Sequence, residues 1–134
     1  MKRMVYLPLV ALLLLTAVLW ARNDHMVNSA MVPAAQGKVH TAHDHNGNTE
    51  LDIQVHHLAK PRDLNPSYVS YIVWVEPRGE APVNVGELRV GDDLKGKLKT
   101  TTPFKKFDIV VTAEGAPNAT APTGPEVLHG IVSR

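Results

Sequence analysis

From Gly37 to the end of the chain, apolar and polar residues alternate with a period of two, and turn residues interrupt the alternation every eight to twelve positions. This rhythm is that of antiparallel strands folded into a sandwich or barrel, because successive side chains of a strand point to opposite faces. Seven strands are predicted. The first two are the most sharply defined: Gly37 to His43 runs into Asp44-His45-Asn46-Gly47, and Thr49 to Leu58 returns. Asp suits the first position of a type I turn and Gly the left-handed residue that follows, so a three-residue loop is expected. That loop pairs Val39 with Ile53 and Thr41 with Leu51 on one face, and Lys38 with Gln54, His40 with Asp52 and Ala42 with Glu50 on the other. A two-residue loop would set His40 against Ile53, so burial selects the longer one.

The third strand, Tyr68 to Glu76, is nearly all apolar or aromatic and carries Trp74, as expected of a central strand covered on both faces. Val83 to Val90 is the fourth, and Gly86 within it signals a bulge or a close backbone approach. In the fifth, Leu94 to Thr102, Lys95, Lys97 and Lys99 alternate with smaller or apolar residues, which marks a solvated edge. Phe107 to Glu114 turns Phe107, Ile109, Val111 and Ala113 inward. A Pro- and Gly-rich loop over Gly115 to Pro125 precedes the last strand, Val127 to Ser133. The expected fold is all-β, a seven-stranded antiparallel immunoglobulin-like sandwich over 37–134, with Trp74 as its core tryptophan and no disulfide beside it.

Composition agrees and also excludes. The chain of 134 residues has room for one domain. It contains 9 Gly and 10 Pro, few aromatics and no Cys. Without Cys there is no disulfide framework, thiolate metal site, thiol nucleophile or lipid-bearing Cys anchor. Lys plus Arg number 14 against 13 Asp plus Glu. A balance so close to neutral does not suit nucleic acid as a partner, which calls for positive charge gathered on one face.

Lys2 and Arg3 precede an apolar run from Met4 to Ala21, the layout of a secretory leader. At 1.5 Å per residue in a helix its 18 residues also suffice to cross a hydrocarbon layer of about 30 Å, so residues 1–22 are read as a signal peptide or a signal anchor. Ala21 and Ala34 are the candidate cleavage points. Trp20 and Arg22 resemble the aromatic and basic rim of a membrane span, and Lys2 with Arg3 would hold the N-terminus inside. Residues 23–36 lack a sustained period and are read as a tether. The domain is therefore expected outside the membrane, anchored or secreted, with an envelope protein or cell-wall component as its partner.

Candidate chemistry is sparse. His40, His43 and His45 lie on the first hairpin with Asp44, and imidazoles with a carboxylate suit zinc or copper. His40 and His43 face opposite sides, however, and His56 lies beyond about 15 Å of His45 at 3.3 Å per residue. Only His43, Asp44 and His45 could share an ion; otherwise these are solvent-facing residues on a polar hairpin. No serine sits in a Gly-flanked elbow, no carboxylate pair suggests glycoside chemistry, and no phosphate loop is present, so neither catalysis nor a cofactor is expected. The lysines at 95, 97 and 99 form a candidate interaction surface, or simply keep an edge soluble.

Tyr71-Ile72-Val73-Trp74-Val75, Pro82, Gly86, the stretch Phe107 to Glu114, then Pro122-Thr123-Gly124-Pro125 and Val127-Leu128-His129-Gly130 follow one another in an order that resembles the extracytoplasmic C-terminal domain of anti-sigma-K-type factors. The resemblance covers roughly residues 68–131. It implies a β-sandwich outside a bacterial membrane and supplies no catalytic residues. Two departures bear on function: only three residues precede the apolar run, so no sigma-capturing domain is expected here, and Glu114-Gly115-Ala116-Pro117 differs from the family's continuation.

Overall fold

The computed structural model describes residues 22–133, so the leader or anchor expected over 1–22 lies outside the described residues except for Arg22. Among the described residues the chain is all-β and antiparallel. Eight strands follow in order: β1 (Arg22–Asn28), β2 (Gln36–His43), β3 (Thr49–His56), β4 (Ser70–Pro77), β5 (Val83–Leu88), β6 (Gly96–Thr102), β7 (Phe107–Glu114) and β8 (Glu126–Val132). A single turn of 3-10 helix, Pro61–Asp63, stands in the crossing between β3 and β4.

The strands join into one sheet of order β5-β4-β7-β8-β1-β2-β3-β6. It curls until its two ends meet: Val90 bridges to Gly96, and the side chain of Leu98 on β6 lies against Gly86 of β5. The result is a sandwich-like, nearly closed barrel with two layers, one of β1-β2-β3-β6 and one of β5-β4-β7-β8.

The first hairpin has the register that alternation dictates. Val39 pairs with Ile53, Thr41 with Leu51 and His40 with Asp52. Gly47 adopts φ +79°, the left-handed conformation the three-residue loop requires. Gly86, at φ +145°, lies where the β4–β5 register shifts, which is the bulge anticipated at that glycine.

Two expectations need correction. The segment expected as a tether supplies the eighth strand. Arg22 to Met26 pair with β2, while Val27 and Asn28 pair with β8, so β1 passes from one layer to the other and links them. Met26 is its buried core residue, seated between Gly37 and Gly130; a β-carbon at either would approach the Met26 side chain to 3.1 or 3.3 Å. Glycines on both neighbours let the chain cross at this corner. The Asn28 side-chain amide then donates to the Pro33 and Ala35 carbonyls at 2.9 and 3.0 Å, shaping the loop into β2.

The second correction concerns Trp74. It is fully buried, but not between the layers as an immunoglobulin-like core tryptophan would be. Tyr71, Val73 and Val75 of β4 enter the main core with Leu51, Ile53, Ile109 and Val111, whereas Trp74, Ile72 and Val110 form a separate cluster on the opposite face of the same layer. The loop 115–125 folds over that face, with Ala119 packed on the cluster.

Candidate interaction surface

The two layers present different outer faces. Over β4 and β7 the face is sealed. Trp74 Nε1 donates to Thr112 Oγ1 at 2.8 Å, and Thr112 donates in turn to Glu114 Oε1 at 2.6 Å. The Glu114 carboxylate also accepts from Thr123 Oγ1 at 2.6 Å, from Thr123 N at 3.0 Å and from Gly124 N at 3.1 Å. Glu114 is 1% exposed. Burial alone would raise its pKa, but these hydrogen bonds to the charged form outweigh burial and hold the carboxyl below its ordinary range. Asn84 completes the closure from β5, donating to the Ala119 carbonyl at 3.0 Å. The hydroxyls and the carboxylate that stand closest together therefore hold a loop in place.

Beside this seal, His129 on β8 lies between two carboxylates. Its Nδ1 is 2.9 Å from Glu126 Oε1 and its Nε2 is 2.9 Å from Asp108 Oδ2. A neutral imidazole has one N–H and can serve one of them; the doubly protonated ring serves both. Burial pulls the pKa of His129 down, yet the bonds to Asp108 and Glu126 prevail and raise it.

Among the described residues, no loop covers the outer face of β1-β2-β3-β6 in this way. Register places His40, Asp52 and Lys99 side by side across three strands, with Lys38, Gln54 and Lys97 in the adjacent row. A shallow depression of about 540 Å³ lies here, bounded by His40, Glu50, Asp52, Lys99 and Thr101. Asp52 Oδ1 is buried in its floor and has no hydrogen-bond partner among the described residues. Donors and acceptors of both charges thus converge within one concave patch.

Of the sequence-predicted surface, Lys97 and Lys99 belong to this face, both exposed, with Lys99 opposite Asp52. Lys95 is exposed but precedes β6, in the turn from β5, near Gln54 and His56. The candidate metal residues lie at the hairpin tip: His43 and His45 are exposed, and Asp44 is already engaged. Its Oδ1 accepts from Asn46 N and Asn48 N, both at 2.8 Å, and its Oδ2 from Asn48 Nδ2 at 3.2 Å. Burial opposes ionisation of Asp44, but these bonds, aided by His45, lower its pKa. Among the described residues no three His, Asp or Glu side chains are grouped to hold a metal ion.

Sequence reasoning missed the Glu114 clasp and the His129 pair, because both depend on contacts between β7, β8 and a distant loop. The one legible trace was Thr112-Ala113-Glu114 followed by Pro122-Thr123-Gly124-Pro125, noted there for resemblance alone. No protein-family model and no curated protein matches this chain.

Proposed function

We propose that this chain is a non-catalytic extracytoplasmic binding domain, tethered to or secreted across a bacterial membrane and similar to the sensor-side domain of anti-sigma factors. The observation that carries the reading is the inequality of the two faces: one is closed by loop 115–125, while the other offers a concave patch that no described loop covers, with His40, Asp52 and Lys99 in a row. A surface of interleaved donors and acceptors on rigid strands suits recognition of a polar partner, an envelope protein or a cell-wall component. Binding rather than turnover is favoured because Thr112, Glu114 and Thr123 are occupied with one another. The leader supports an extracytoplasmic setting, and the resemblance supports the anti-sigma-like class. The residues that carry that resemblance lie on β4, β5, β7 and β8, just before β5 at Pro82, and in the loop 115–125.

A photo-crosslinking residue placed at Thr101 on the open face, and separately at exposed Ile131 on the other layer, tests the reading in intact cells. The expected result is a discrete adduct from position 101 that disappears with Lys99→Glu, and none from 131. Equal adducts from both faces, or none from position 101, would overturn it.

A further inference from the structure

We propose that the end of the barrel formed by the β2–β3 hairpin tip and the β6–β7 loop rests among the phosphate headgroups of an anionic bilayer. The inference rests on reading residues 4–21 as a retained anchor, and it follows from where β1 begins. That run ends at Ala21, and Arg22 is already paired with Thr41 of β2, so no free residues separate the span from the sheet. Because β1 and β2 are antiparallel, the chain reaches Arg22 from the side on which β2 runs out toward its hairpin. From Thr41 to Asp44 is three residues, about 10 Å of strand at about 3.4 Å each; barrel strands incline by about 35–45°, so the hairpin projects about 7–8 Å past the level of Arg22, back toward the membrane. Each headgroup layer is only about 5–8 Å deep. The tip, His45-Asn46-Gly47-Asn48, is too polar for hydrocarbon and therefore lies in that layer.

The neighbouring loop reaches the same level. Thr49 at the hairpin base pairs with Thr102, the last residue of β6, and its hydroxyl donates to the Phe104 carbonyl at 2.8 Å. This holds the loop against the hairpin and sets Lys105 and Lys106, both exposed, beside the tip. Two adjacent ammonium groups within a Debye length of lipid phosphates are attracted to an anionic surface. The barrel would then stand upright, with the open face of β2-β3-β6 turned sideways.

The chain has no Cys, so single cysteines report position directly. Asn46→Cys marks the tip and Ser67→Cys the loop at the opposite end; each carries a fluorophore in the full chain, reconstituted into phosphatidylcholine–phosphatidylglycerol vesicles with a headgroup-nitroxide lipid. Quenching is expected to be several-fold stronger at position 46 than at 67, and Lys105→Glu with Lys106→Glu is expected to reduce that ratio at least by half. Equal quenching at both positions, or stronger quenching at 67, overturns the proposal while leaving the anchor intact. An unchanged ratio after charge reversal overturns the role of the two lysines. Loss of the chain from floated vesicles after an alkaline wash refutes the anchor, and the proposal with it.

Discussion

Replacing Glu114 by Gln tests whether the clasp holds the sealed face, because Gln preserves shape and removes only charge and one acceptor. In the native domain the carboxylate accepts from the hydroxyls of Thr112 and Thr123 and the amides of Thr123 and Gly124, and it is nearly inaccessible. A Gln side chain offers one oxygen; its NH2 group necessarily faces either the Thr112 and Thr123 N–H side or the Thr123 hydroxyl and Gly124 N–H side. On the first side the Thr123 N–H meets a donor; on the second the Gly124 N–H, 3.1 Å from the position of the lost oxygen, does so and keeps only its longer bond, 3.2 Å, to the remaining one. With hydrogen bonds to a charged group worth about 1.5–3 kcal/mol, and a buried unmet donor about 1–3 kcal/mol, the expected loss is about 2–3 kcal/mol. For a domain of this size that lowers Tm by about 8–12 °C, read from the strand signal in circular dichroism at neutral pH. The pH dependence supplies a second readout. The folded pKa of Glu114 lies below the ordinary 4.5, so its stabilisation is present above that value and lost as pH falls through the folded pKa. The gap between the parent and Glu114→Gln must therefore narrow in acid. A variant melting within about 2 °C of the parent at neutral pH, or a gap constant down to acid, refutes the reasoning.

Gly124→Ala probes the same closure by volume: a β-carbon there would stand 1.6 Å from the Ala113 carbonyl oxygen, so the loop must lift at a cost of at least about 3 kcal/mol. In a Trp20→Phe background the Trp74 emission should shift to the red; unchanged emission and stability would show that the loop does not seal the ring. His129 has a raised pKa, so its ion pairs with Asp108 and Glu126 contribute below the ordinary 6.5 and are lost as pH rises through the folded value. Asp24 and His25 of β1 border the same hollow. Unfolding free energies from urea titrations of the parent at about pH 6 and about pH 8 should differ by less than about 1 kcal/mol through this group, with pH 6 the more stable, and His129→Gln should abolish that part of the slope. An unchanged slope would dismiss the pairs as contributors.

How far the sequence disclosed this fold varied with how locally each feature is encoded. The first hairpin was fully legible, register included, because one face is apolar, the other polar, and Gly47 fixes the loop. The apolar run of β4 correctly indicated cover on both faces. When both faces are apolar, though, a period of two cannot say which one meets the main core, so Trp74 was placed in the wrong cluster. β1 was invisible for a related reason: the strand changes layers after five residues, and of residues 24–28 only Met26 is buried, which makes no period. The lysines of β6 were rightly read as facing solvent, but their setting beside Asp52 and His40 depends on the β3–β6 pairing across the sheet. Asp44 looked like a ligand by composition, whereas its turn geometry commits both oxygens to Asn46 and Asn48.

The course of β1 also limits how the chain can mature. A cut after Ala21 would leave Arg22 to Asn28 whole. A cut after Ala34 would strip away the strand that, among the described residues, joins both layers, empty the Met26 seat between Gly37 and Gly130, and bare the flanks of β2 and β8 to pairing with other molecules. Of the two bonds a peptidase could recognise, the folded domain can spare just the first.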